Sequence, residues 1–194
     1  MNRTDLQEEM FHPQNRLEWR EWLQEHHDKK SSIWLIYHKK KANMLRITWS
    51  EAVDEALCFG WIDSKSKPID NDRYMQFFSR RKPNSVWSKI NKAKVQRLTE
   101  EGLMTRAGLD VVAHAKRNGS WTALDEIEEL IIPEDLQVEF RKRPVALSYF
   151  LSLSRSDKRN ILQWVVLAKK AETRSNRITR IVDCGDLNMK PNQF

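Results

Sequence analysis

Apolar positions along the chain change their spacing near residue 85. Before it, helical and strand patterns alternate. Residues 15–27, NRLEWREWLQEHH, put Leu17, Trp19, Trp22 and Leu23 on one helical face. IWLIYHKK at 33–40 is rich in β-branched and aromatic residues and predicts a buried strand, with KANML as a polar connection after it. In ITWSEAVDEALCFG, Thr48 and Glu51 fit a capping box, where hydroxyl and carboxylate each satisfy an orphan backbone N–H. The helix this predicts starts at about Trp49. Val53, Ala56, Leu57 and Gly60 follow its i, i+3, i+4, i+7 spacing, Ala52 and Phe59 widen the stripe, and Gly60 ends it. WIDSKSKPI (61–69) alternates as a strand, with Trp61, Asp63 and Lys65 on one face and Ile62, Ser64 and Ser66 on the other. Pro68 marks an edge or a strand end. After the turn IDND, RYMQFFSRRK (73–82) is the hairpin partner, with Tyr74, Gln76 and Phe78 opposed to Met75 and Phe77.

From Ser85 onward the pattern is helical. The first helix is capped by Asn84 or Ser85 and closed by Gly102 after Glu101. A second runs from Thr105 to Asn118 with Gly119 as its stop, and Trp121 follows in a loop. TALDEIEELII is mixed and ends at Pro133; Pro133 and Pro144 open helices at their first turns. In SRSDKRNILQWVVLAKK, Ser154 and Asp157 resemble a capping box, and Ile161, Trp164, Val165 and Ala168 share a face. ETRSNRITRIVDCG is the last helix, closed by Gly185. Strands followed by helices define an α+β chain. The expected division is an N-terminal unit over 1–125, a small antiparallel sheet with helices, and a C-terminal helical unit over 126–194.

Composition narrows the setting. The chain has 194 residues, 31% charged and 40% hydrophobic, as in a soluble globular protein of one large or two small domains. No apolar run approaches the roughly 18 residues that suggest a spanning helix. The N-terminal MNRTDLQEEM lacks the apolar core of a signal peptide. A cytoplasmic protein without membrane insertion is expected. Cys58 and Cys184 belong to no CxxC pair and read as reduced thiols. His12, His26, His27, His38 and His114 include no i, i+4 pair, so neither a metal nor a cofactor is expected.

Charge changes the picture most. Net charge is +7. Arg80, Arg81, Lys82, Lys89, Lys92, Lys94 and Arg97 lie in one stretch with no acid among them, and without these seven the chain is balanced. Lys89 and Lys92 fall in the first turns of the predicted helix, where the dipole disfavours cations. Such a placement suits an anionic visitor, which backbone N–H groups at the same end would also attract. The candidate surface is therefore Arg80, Arg81, Lys82, Lys89 and Lys92 on phosphates, with Trp87 stacking on a base and Tyr74 and Phe78 extending the platform. Trp87 serves equally as a core anchor together with Ile90. No RNP, KH or zinc-finger signature is present, so backbone contact rather than base reading is expected, with nucleic acid or another polyanion as partner.

Longer motifs point to a family. ITWSEAVDEALCFGWIDSK, RYMQFFSRRKPNSVWSKINK and LTEEGLMTRAGLDVVAHAKRNGSW resemble the N-terminal part of the YdeI/OmpD-associated, or bacteriocin-protection, proteins. Phe150, Leu153, Ala168–Lys169, Glu172–Arg174 and Arg177–Ile178 resemble the short OmdA-type helical domain. The resemblance runs from about Trp34 to Asp186. It implies a role in resistance to bacteriocins or cationic peptides and an association with a porin, and it supplies no catalytic residues. A basic segment does not sequester a cationic peptide, so the protective effect is expected to be indirect, through regulation or stress response.

Two other classes stay open. An enzyme on a small anionic or phosphorylated substrate would use Cys58 as nucleophile or Asp63 as base. Its thiol needs a positioned base, and the nearest histidine in sequence is His38. No GxSxG, P-loop or GxGxxG motif accompanies them. Cys58 otherwise packs in a helix turn, and Asp63 pairs with Lys65 or an arginine of the next strand. A protein-interaction adaptor would dock an acidic partner on Arg174, Arg177 and Arg180, spaced by three along the last helix.

Overall fold

The computed structural model describes residues 9–39 and 46–191, so the KANML connection lies outside the described residues. The chain forms two compact units, Met1–Thr122 and Ala123–Phe194.

In the first unit, β1 (Met10–Phe11), β2 (Ser32–His38), β3 (Trp61–Pro68) and β4 (Arg73–Arg80) form one sheet in the order β1-β2-β4-β3. β3 and β4 are the expected hairpin, and β2 pairs antiparallel on the other side of β4. The sheet is mixed, because β1 runs parallel to β2. At two residues β1 is too short to show a period. The helices are α1 (Arg16–His26), α2 (Trp49–Cys58), α3 (Lys89–Glu100) and α4 (Arg106–Arg117).

One sheet face carries Ile33, Leu35, Tyr37, Trp61 and Phe78 into a core shared with Trp19 and Leu23 of α1 and Trp87. Leu17 is 62% exposed and leaves the predicted face of α1. α2 is the central helix. Every residue from Ala52 to Cys58 is buried, including Asp54 and Glu55. Its start is the predicted capping box of Thr48 and Glu51, and Gly60 ends the turn with φ +75°. α4 docks on its far end. The Thr105 N–H and hydroxyl both donate to the Cys58 carbonyl, at 3.1 and 2.6 Å. Gly108 lies so close that a Cβ there would stand 2.3 Å from that carbonyl oxygen.

Two local expectations are corrected. A register shift between Asp63 and Ser66 breaks the alternation of β3. An inserted residue turns all later side chains over, so Lys65 leaves the face of Trp61. Its Nζ lies 5.5 Å from the Trp34 ring and 5.4 Å from the Phe77 ring. Second, α3 starts at Ser88, whose hydroxyl accepts from the Asn91 N–H, and not at Asn84 or Ser85. Lys82–Ser85 is a turn closed by the Ser85 N–H on the Lys82 carbonyl. Ile90 consequently points out, 65% exposed.

The second unit is helical: α5 (Asp125–Glu128), α6 (Glu134–Lys142), α7 (Pro144–Ser152), α8 (Arg155–Val166) and α9 (Ala171–Asp186). Pro144 opens α7, Pro133 caps α6, and Ser154 caps α8 as expected. Ala168 lies beyond the end of α8, while Ile161, Leu162 and Val165 form its buried face. Gly185 does not close α9 but lies within it, where a Cβ would stand 2.9 Å from that of Ala146. The helix ends at Leu187 and Asn188, the latter at φ +53°. Among the described residues no helix is long and apolar enough to cross a membrane.

Candidate anion-binding groove

Folding assigns the seven clustered bases to different tasks. Lys94 and Arg97 reach across from α3 to Asp54 of α2, each at 2.5 Å, and Arg97 also bonds Glu101. The stretch that lacks acids in sequence thus meets one in space. The Arg80 guanidinium donates to the carbonyls of Lys30 and Asp28 at 2.6 and 2.5 Å. Arg81 is 8% exposed, donates to the Val86 carbonyl at 2.5 Å and lies 3.6 Å over the Trp87 ring. Burial pushes its pKa down to about 10. Lys82 and Lys89 are exposed and Lys92 is half-buried.

The aromatic platform expected around them faces inward. Trp87 is 1% exposed, so no base can stack on it here. Phe78 is fully buried, and Tyr74 is half-buried with its ring 5.1 Å from that of Tyr37. Burial raises the Tyr74 phenol above its ordinary range. The alternation of β4 forces this result, because the face it shares with Gln76 is the core face.

A different aromatic is available. α3 and α4 splay to leave an open groove of about 660 Å³. Its floor is apolar, from Ala93, Val95, Leu109 and Val112, and Lys89, Lys92 and Lys116 stand on its rim with Trp121. Trp121 is half-buried, and its backbone N–H donates to the Ala115 carbonyl at 3.1 Å. One side packs on Trp87 with ring centroids 4.9 Å apart. Lys92 Nζ and Lys116 Nζ lie 5.5 and 5.2 Å from its centroid. Gln96, Thr99 and Glu100 add polar groups along α3. Sequence reading left Trp121 in a loop and passed over Lys116. Their one signal, a tryptophan two residues past a helix-ending glycine, gains meaning only when α3 is known to lie alongside.

The alternative sites are placed elsewhere. Cys58 is fully enclosed. Burial and the neighbouring Glu55 carboxylate push its thiol up to about 11, despite Arg20 and Arg16 nearby. Glu55 itself is held by those two arginines at 2.6 and 2.5 Å. His38 stacks on His12. Asp63 accepts from the Trp49 indole at 2.9 Å and the Gln76 amide at 3.1 Å, not from Lys65, which the register shift has carried away. Neither Cys58 nor Asp63 lines the groove. In the second unit Arg174 bonds Asp135 at 2.6 and 2.9 Å, and Arg177 donates to the Trp164 carbonyl at 2.5 Å while lying over its ring. Of the three predicted docking arginines only Arg180 is fully exposed. Among the described residues no three His, Cys, Asp or Glu side chains converge as a metal site.

The chain is thus an α+β unit joined to a helical unit, each with a family match of its own. The chain belongs to the family described as a domain of unknown function, DUF8412, whose model matches residues 11–111. Residues 129–184 match the model of the OmdA family, described as bacteriocin-protection, YdeI or OmpD-associated. The expected OmdA-type likeness of the helical part is shown over residues 129–184, and the DUF8412 model covers most of the sheet-containing part, residues 11–111. No curated protein and no solved structure matches the chain.

Proposed function

We propose that this protein is a non-catalytic binding module for a phosphate-rich polyanion, with single-stranded nucleic acid as the ligand, and that it binds in the α3–α4 groove. The observation that supports this most is Trp121 bracketed by Lys92 and Lys116 above an apolar floor. An accessible aromatic accepts a base of any sequence, and lysines on flexible stems swing from the ring to the phosphates on either side. The groove lies within the size range of ligand sites, roughly 300–1,000 Å³. Lys89 at the first position of α3 and the excess of +7 add long-range attraction. Trp87 backs Trp121 from within, and Arg81 lies on the Trp87 ring.

The protein works in the cytoplasm under this proposal. The protective role named in the OmdA description then runs indirectly, through the bound polyanion during stress. Fluorescence anisotropy of labelled single-stranded oligonucleotides at several salt concentrations tests the binding. Affinity should fall steeply with salt, because each neutralised phosphate releases counterions. Lys92→Glu with Lys116→Glu should abolish it, and Trp121→Ala should weaken it by about 1–3 kcal/mol. Absence of binding at low salt, or unchanged binding in the double variant, would reject the groove.

A further inference from the structure

Among the described residues of the first unit, buried charge is matched with one exception. Asp54 has Lys94 and Arg97, and Glu55 has Arg16 and Arg20. Arg81 is as deeply enclosed, yet its Nε and Nη1 have no hydrogen-bond partner. Asp63 lies near enough to act on it electrostatically, but its Oδ2 is taken by Trp49 and Gln76. The indole N–H of Trp87, on whose ring the guanidinium lies at 3.6 Å, is also buried without a partner. So is the Ser120 hydroxyl. Asn118 ties the turn of Ser120 to the loop of Arg81. Its amide donates to the Pro83 carbonyl at 2.9 Å and to Asn84 Oδ1 at 3.2 Å, and its own oxygen accepts the Ser120 N–H at 3.0 Å.

Buried donors without acceptors carry a desolvation cost, and for a cation the cost is largest. Here one guanidinium, one indole N–H and one hydroxyl share the same fault in adjoining segments. Each is a donor, and the guanidinium supplies positive charge. The missing component is an acceptor-rich anion of small size. We propose that Arg81 and Trp87, with Ser120 beside them, form a second binding site that takes a small oxyanion, a carboxylate or phosphate group. The site is separate from the groove, since none of its three residues lines the groove. Failure of oligonucleotide binding would leave it untouched.

The test uses the full chain, labelled with nitrogen-15 and assigned by triple-resonance spectra. Inorganic phosphate and acetate are titrated separately at constant ionic strength, and the indole and arginine Nε–H resonances are followed. The expected result is a saturable shift of Trp87 Nε1–H and Arg81 Nε–H with at least one anion. The Trp19 indole, already bonded to the Ala52 carbonyl at 3.0 Å, should stay in place. Saturation by phosphate alone or by acetate alone identifies the oxyanion. Ser120→Ala, a small change that preserves the fold, should weaken the binding about 10–150-fold, the loss of one hydrogen bond to an ionised acceptor. Two results overturn the proposal. One is a Trp87 resonance that neither anion moves, which makes the site a water-filled one. The other is a shift that Trp19 and Trp87 share equally, which makes it a general salt effect.

Discussion

Cys58 shows how enclosure decides the chemistry of a residue. In the sequence it stands beside a glycine, a tryptophan and an acid, and it qualifies as a nucleophile. In the fold its thiol is buried next to Glu55 and stays protonated. Ellman's reagent should therefore label Cys184, which is partly exposed, while Cys58 reacts only in denaturant. The thiol also leaves a mark on stability. Its folded pKa of about 11 exceeds the ordinary 9.0, so its contribution is fully present below pH 9 and is lost as pH rises through 11. The full loss is about 2–3 kcal/mol by proton linkage. Urea unfolding across this range should show a shallower decline in Cys58→Ala than in the parent. A residual slope of the same sign should remain from Tyr37, whose buried phenol is also raised. The seven clustered bases carry the same lesson. Their charge was legible in the sequence, but their partners were not. Asp54 lies about forty residues from Lys94 and Arg97. Arg81 sits just past the end of β4, where alternation no longer predicts which way a side chain turns.

Helix starts set by local chemistry were readable, because cap and partner lie within four residues. The Thr48 box, the caps at Thr105 and Ser154 and the stop at Gly60 are of this kind. Features set by a neighbouring element were not. The shift in β3 and the interior position of Gly185 are of this second kind, whereas the late start of α3 is a local Ser88 cap passed over for Asn84 or Ser85. Gly108 is the tightest such point, where α4 meets the backbone of Cys58. Gly108→Ala has no flexible side chain to displace, so it should cost about 1–3 kcal/mol or more. Gly185→Ala, against Ala146, should cost a similar amount in the helical unit. Chemical denaturation of both variants gives the comparison. Charge adds to the apolar α2–α3 packing, and Asp54→Asn should lose about 1–3 kcal/mol. That is below the full cost of a broken buried pair, because Arg97 remains half-exposed and can rehydrate.

At the scale of the molecule, the α+β class was legible from the order of patterns alone. The family likeness was legible too, and it is shown over residues 129–184. The matches to 11–111 and 129–184 fall within the two compact units. The second unit has its own core in Leu136, Phe140, Ala146, Phe150, Ile161, Leu162, Val165, Ile178, Ile181 and Val182. Residues 123–194 expressed alone should be helical by circular dichroism and melt cooperatively. A structureless fragment would show that the core is insufficient. The hairpin strand β3 has one further consequence. It lies at the outer edge of the sheet, with backbone groups that could pair with another chain. Its register break, Lys65, Lys67 and Pro68 interrupt that edge with a kink, two charges and a missing donor. These features disfavour the addition of a neighbouring molecule's strand, the step by which a concentrated solution would turn into a fibre.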